Sequence, residues 1–223
     1  MRPVSDYQTI AFDCDGVILN SNHIKTNAFF EVALPYGTDA AKALQDYHVY
    51  HGGISRNLKF QYFFSDILQR DASPGELETL VEHYGEHVSK ELLEADVTPS
   101  LDDFYQQTKH ANWVVISGGN EVELRSLFCR RHLDHLFPVD KIFGSPRSKT
   151  EIVQDEEKRG HFVPPVLFLG DSKYDYDVAQ QHGFDFVFVR AWSEWPNPEL
   201  TDNVTVVDYV ANLTKNTAET QNG

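Results

Sequence analysis

The chain has 223 residues, 41% hydrophobic and 13% aromatic, which excludes a disordered polymer and leaves room for one domain with a sizeable core, or one domain carrying a smaller insert. A formal net charge of −15 excludes nucleic acid and anionic membrane surfaces as main partners, although a local basic pocket can still hold an anion. Two cysteines, Cys14 and Cys129, cannot build a disulfide framework. No apolar run reaches membrane-spanning length and residues 1–9 carry no leader pattern, so a soluble protein of a reducing, cytoplasmic compartment is expected. In that setting the Asn-x-Thr triplets at Asn203 and Asn212 are accidental.

Residues 7–13 read as the first strand, and the run ends in Asp13-Cys14-Asp15-Gly16. Side chains alternate along a strand, so Asp13 and Asp15 project the same way beyond its carboxyl end. Open parallel sheets place their ligands at that edge. Two acids so close call for a divalent cation, a shared proton, or both. Taken alone, Asp-x-Asp-Gly fits a solvated acidic turn equally well.

From Asn20-Ser21-Asn22 to about Ala95 the pattern is helical. Phe60, Phe63, Phe64, Ile67 and Leu68 share one helical face. Ser73-Pro74-Gly75-Glu76 has the form of a capping box with proline at the first helical position, opening a helix through Leu80, Tyr84 and Val88. An all-helical insert over 21–95 follows, dividing a core made of 1–20 and 96–212.

Beyond Pro99 the grammar alternates. A helix over 100–110 leads to a strand at 113–116 that ends in Ser117-Gly118-Gly119-Asn120. Then come a helix over 121–132, a short strand at 141–144, and a helix over 149–159. A strand at 166–169 ends in Gly170-Asp171, followed by a helix over 175–182 and a strand at 186–189. Strand–helix alternation with continuous apolar strands predicts right-handed βαβ units and a Rossmann-like parallel sheet, an α/β fold. Residues 213–223 are predicted to be a disordered tail.

Polar groups follow the apolar run at three strand ends: Asp13 with Asp15, Ser117, and Asp171. One sheet edge would gather them, and Lys149 can reach it. Carboxylates from two strands, a hydroxyl and an ammonium suit a site for Mg²⁺ and a phosphate. Ser117 and the amide of Gly118, at a helix start, suit the phosphoryl oxygens. Lys149 would offset the repulsion between a carboxylate and the phosphate.

These residues carry a family resemblance. Asp13-Cys14-Asp15-Gly16-Val17, Ser117-Gly118-Gly119, Lys149 after Gly144-Ser145-Pro146-Arg147-Ser148, and Gly170-Asp171-Ser172-Lys173-Tyr174-Asp175 stand in the order of four motifs. The chain thereby resembles the haloacid dehalogenase superfamily over about 7–190. Within it, the chain is similar to the phosphatase-like branch with a helical cap, the phosphoglycolate-phosphatase and β-phosphoglucomutase-like proteins. The resemblance implies that Asp13 attacks phosphorus and that Asp15 passes protons to the leaving oxygen and from water. It implies Mg²⁺ held by the Asp13 carboxylate, the Asp15 backbone carbonyl and Asp171, with the fourth metal-site residue, Asp175, standing behind these ligands or bridged to the ion through water. An acid at position 15 argues against dehalogenation, which produces no alkoxide to protonate.

Two looser matches lie in the cap. Arg56, in His51-Gly52-Gly53-Ile54-Ser55-Arg56, corresponds to an arginine that can hold a second anionic group; the competing reading is an exposed first turn capped by Ser55. Lys25 falls where mutase-like relatives often carry histidine; the competing reading is a solvated helix lysine. The expected function is Mg²⁺-dependent hydrolysis of a small phosphorylated metabolite, a phosphosugar or short phospho-acid. A phosphosugar mutase and a catalytically silent relative are the alternatives, and monomer and homodimer stay equally open. Against the mutase, Gly170 precedes Asp171 and Lys25 replaces the histidine. Asp177, the His132/His135 pair, Cys14, Trp192 and Trp195 read as structural.

Overall fold

The computed structural model describes residues 1–196, 198, 200, 201 and 203–214. The strands are β1 (Thr9–Phe12), β2 (Asn112–Asn120), β3 (Ile142–Ser145), β4 (Val166–Gly170), β5 (Asp185–Val189) and β6 (Thr205–Val207). They form one sheet in the order β3-β2-β1-β4-β5-β6, and each pairing is parallel. All carboxyl ends therefore meet at one edge, with the fully buried β1 at the centre.

Alternation along the strands splits the interior into two layers. Ile10, Phe12, Trp113, Val115, Leu167 and Leu169 pack on one face against helices α5 (Leu101–Thr108) and α6 (Glu121–Arg130). Ala11, Val114, Ile116 and Phe168 pack on the other against α7 (Lys149–Lys158) and α8 (Lys173–His182). Phe12 anchors the first layer, with the rings of Trp113 and Phe137 at 4.6 and 5.3 Å. Burial on both faces explains why these strands lack polar alternation.

The helices between β1 and α5 are α1 (Asn22–Ala33), α2 (Thr38–Tyr50), α3 (Arg56–Tyr62) and α4 (Glu76–Glu94). They close over their own apolar cluster, which contains Phe29, Phe60, Phe63, Phe64 and Tyr84. The Phe60–Leu68 stripe does not stay in one α-helix: it widens into a π-turn at Phe63–Ile67. The two connecting segments run side by side, with Leu19 bridged to Val97, the Asn20 amide on the Asp96 carbonyl at 2.9 Å, and the Thr98 amide on the Ile18 carbonyl at 2.8 Å.

Several boundaries differ from the sequence reading. α4 starts at Glu76, not at Pro74, because Gly75 (φ +81°) occupies the cap position. Ser73 still gives its amide and hydroxyl to the Glu76 carboxylate, so half of the capping box forms. Strand β6 was not anticipated, although Thr205-Val206-Val207 is a β-branched run. The predicted disordered tail is corrected at its start, since Leu213 is 4% exposed and joins the first layer beside Val210. Residues 215–223 lie outside the described residues. Among the described residues no helix is long and apolar enough to cross a membrane. Leu213→Ala is expected to destabilise the fold by about 2–4 kcal/mol in urea unfolding, the cost of an unfilled core site. An unchanged midpoint would contradict this packing.

Candidate active site

Asp13 is the first residue past β1, and its amide extends the ladder to the Leu169 carbonyl at 2.9 Å. Lys149 opens α7, whose start is fixed by a capping box between Ser148 and Glu151. Its Nζ donates to Asp13 Oδ1 at 2.7 Å and to Asp175 Oδ1 at 2.5 Å, and all three side chains are buried. Burial alone would weaken the ammonium, but the two carboxylates more than offset it and hold the Lys149 pKa above its ordinary value. The other Asp175 oxygen caps α8, accepting from the Ser172 amide at 3.1 Å and the Ser172 hydroxyl at 2.6 Å. Gly170 permits this approach, since a Cβ there would collide with the Asp175 side chain.

Asp171 follows β4. Its Oδ2 accepts from Asn22 Nδ2 at 2.6 Å, and the same amide group reaches the Trp192 carbonyl at 2.9 Å. Asn22 was read only as part of a helix start, yet it ties the first turn of α1 to the strand edge. Gly16 sits below at φ +77°, where a Cβ would strike both the Asp171 carboxylate and the Asn22 amide.

Oxygens of Asp13, Asp171 and Asp175 lie within 4.8 Å of one another. One ammonium does not neutralise three buried carboxylates. Burial pushes the Asp13 pKa up to about 7, with Lys149 opposing and Asp175 and Asp15 adding to the rise. Burial, reinforced by Asp13 and Asp175, pushes Asp171 well above the usual carboxylate range. A hard divalent cation suits this oxygen set and its surplus charge. Asp175 is committed to Lys149 and to its cap, so Asp13 and Asp171 are the better placed to bind one.

Asp15 behaves differently. Its oxygens accept from Ser21 Oγ at 2.6 Å and Lys25 Nζ at 2.5 Å. Burial favours the acid form, but the Lys25 charge and these hydrogen bonds win and lower its pKa. The solvated-lysine reading of Lys25 is therefore corrected: its side chain is 14% exposed and held on Asp15. Ser117 is fully buried inside β2, its Oγ accepting from the Gly119 amide at 3.0 Å. Gly118 is not at a helix start, as α6 begins only after Asn120, whose side chain caps it. Gly118 instead faces the helical insert, and a Cβ on it would overlap the Gly53 carbonyl.

Arg56 is not an exposed first-turn residue either. Its guanidinium forks onto Glu123 of α6 at 2.8 and 2.5 Å and lies over the Tyr84 ring. Between the helical insert and the carboxyl edge of the sheet is a cavity of about 600 Å³ lined by Asp13, Asp15, Asp171, Lys25 and Arg56, together with two residues the sequence reading missed, His48 and Lys59. Lys59 stands one turn before Phe63 on the buried face, and that position was its only sequence signal. Asp177 pairs with Lys173 on the surface, Cys14 is buried, and Trp195 packs on Phe188 while also lining the cavity.

A carboxyl whose folded pKa is raised favours the folded state below its unfolded pKa and loses that advantage as pH rises through the folded value. For Asp13 that window runs from about 4 to about 7, the charged form being the costly one. In excess chelator, Asp171→Asn should thus gain on wild type as pH rises from about 5 to 8, ending some 3–6 °C higher in Tm. A variant less stable by the same margin at every pH would contradict the crowding.

The model of the family described as haloacid dehalogenase-like hydrolase matches residues 7–183. No curated protein matches the chain. Among solved structures, a predicted phosphatase from Clostridium acetobutylicum is similar at 18% identity and TM-score 0.73, covering 96% of this chain and 99% of that one. A predicted phosphoglycolate phosphatase from Haemophilus somnus 129PT aligns at 17% identity and TM-score 0.72 over 95% and 98%. A candidate beta-phosphoglucomutase from Bacteroides vulgatus aligns at 16% identity and TM-score 0.71 over 97% and 90%. The likeness to these structures is one of fold, and the family model supplies the rest: this chain belongs to the haloacid dehalogenase-like hydrolase family.

Proposed function

We propose that the chain is a magnesium-dependent phosphomonoester hydrolase that passes a phosphoryl group through Asp13. The observation that carries this reading is the buried Lys149 bridge between Asp13 and Asp175, with Asp171 crowded against them at the carboxyl edge of β1 and β4. Lys149 fixes one Asp13 oxygen, leaving the other for in-line attack on phosphorus as the bond to the leaving oxygen breaks. Ser117 and the Gly118 amide hold the remaining phosphoryl oxygens. Asp15 exchanges the protons: the Lys25 contact favours its carboxylate form, which takes a proton from the attacking water. An arriving phosphate dianion acts oppositely, raising the proton affinity of Asp15 for the step that protonates the leaving oxygen. Mg²⁺, held by Asp13, Asp171 and the Asp15 backbone carbonyl with Asp175 in support, would supply charge neutralisation for the transferred group.

Residues 21–95 would act as the cap, hinged at the paired segments around Leu19 and Val97 and closed by the Arg56–Glu123 fork. A cavity of about 600 Å³ suits a small phosphorylated metabolite, a phosphosugar or a short phospho-acid. Two free cysteines, one of them buried, agree with a reducing cytoplasm.

One observation favours the mutase as second reading: Lys25, on the cap side, holds Asp15 directly, so proton transfer is tied to cap position. ³¹P NMR of hexose phosphates separates the two. The hydrolase reading predicts free phosphate with no bisphosphate requirement, and isomer interconversion outpacing phosphate release would favour the mutase.

Asp13→Asn is expected to keep the fold and lower kcat by at least about a hundredfold, the usual scale for a lost nucleophile. A variant keeping a tenth of the wild-type rate would contradict the covalent route. Mg²⁺ should raise the wild-type Tm, more at pH 8 than at pH 5, and leave that of Asp171→Asn nearly unchanged. Equal shifts in both proteins would remove Asp171 from the metal site.

A further inference from the structure

Among the described residues, the other cations withdrawn from solvent beside this site have an acidic partner, while Arg130 on the cavity lining is exposed. Lys25 is on Asp15, Arg56 on Glu123, and Lys149 on Asp13 and Asp175. Lys59 does not. It is 2% exposed, and among the described residues the only hydrogen-bond contact of its ammonium is with His48 Nδ1 at 2.6 Å. The Phe29 ring lies 5.4 Å from its Nζ. A buried ammonium without a carboxylate is costly, and an aromatic face and a neutral imidazole return only part of that cost. Asp15 and Asp13 act on it only through space, as do Lys25 and Lys149 with the opposite sign, while His48 faces it from α2. Burial, with help from Lys25, holds its pKa down to about 7.

We propose that Lys59, held by His48 in the cap roof, is the subsite for a second anionic group of the substrate, a carboxylate or a second phosphate. The inference rests on the phosphomonoesterase reading and moves the anion-binding role from Arg56 to Lys59. The reason is physical. Arg56 is already neutralised by Glu123 in a bidentate pair, whereas an ammonium donating one N–H to His48 keeps two for a ligand. An anion placed there supplies the missing countercharge, and it sits in the same cavity as Asp13. Binding should then draw a proton onto Lys59 at pH 8.

The experiment compares phosphoglycolate and phospholactate (carboxylate tails), glycol bisphosphate (phosphate tail) and ethyl phosphate (neutral tail) as substrates of wild type and Lys59→Met. In wild type at least one anionic-tailed ester should exceed ethyl phosphate in kcat/KM by roughly tenfold, and Lys59→Met should cut that ratio by about tenfold, the scale of one charge-assisted contact. Which tail wins distinguishes carboxylate from phosphate. A ratio unaltered by the substitution, or no preference in wild type, would overturn the assignment. A second arm needs neither turnover nor a stable variant: calorimetry of wild type with phosphonopropionate against propylphosphonate, in buffers of different ionisation enthalpy. Tighter binding of the carboxylate with extra proton uptake is expected, and equal affinity and equal uptake would overturn the proposal. If none of the esters releases phosphate, the hydrolase reading fails by itself, and the phosphonate arm still decides the role of Lys59.

Discussion

Lys149 sits where helix α7 begins, and its ammonium is shared by a carboxylate at the end of β1 and another in the first turn of α8. Removing one member of a buried ion pair costs about 3–5 kcal/mol, so this bridge fixes three separate elements against one another. Its position depends on the surrounding sheet: parallel order brings Asp13 and Asp171 to adjacent strand ends, and the Ser148 and Ser172 caps set the helix starts. The bridge leaves the charge unbalanced, with three buried carboxylates against one ammonium. That residual strain is electrostatic, and it is what makes the edge receptive to a cation.

The helical insert completes the site by three contacts of different kinds. Asn22 and Lys25, on α1, engage Asp171 and Asp15. The Gly53 carbonyl lies against Gly118, with no room for a side chain between them. Arg56 locks onto Glu123 across the gap. Hydrogen-bonded connecting segments at Leu19 and Val97 keep these contacts in register. The surroundings of Asp15 and access to Asp13 therefore depend on the same interface.

Much of this was legible in the sequence, and the exceptions have physical causes. Strands buried on both faces announce themselves as apolar runs, and the acids and hydroxyl that interrupt them marked Asp13, Ser117 and Asp171 without any contact information. β6 escaped because three residues at a sheet edge carry little hydrophobic signal. Leu213 escaped because a single apolar residue in a polar stretch has no periodicity. The start of α4 shifted because a glycine at positive φ took the cap that serine and proline seemed to occupy by pattern. Cap residues were the hardest: Arg56 and Lys25 were picked out, but the first pairs with Glu123 across 67 residues and the second with Asp15 from the insert to the sheet edge, and neither pairing shows in spacing. Lys59 was missed, since burial of a lysine cannot be read from spacing.

The central claim is that Asp13 carries the phosphoryl group, and an acyl phosphate can be trapped chemically. Borohydride reduces an aspartyl phosphate to homoserine, so wild type quenched during turnover, reduced and analysed by peptide mass spectrometry should show homoserine at position 13. Wild type without substrate should keep aspartate there. Steady phosphate release with an unmodified Asp13 peptide, or homoserine at a different aspartate, would contradict the account.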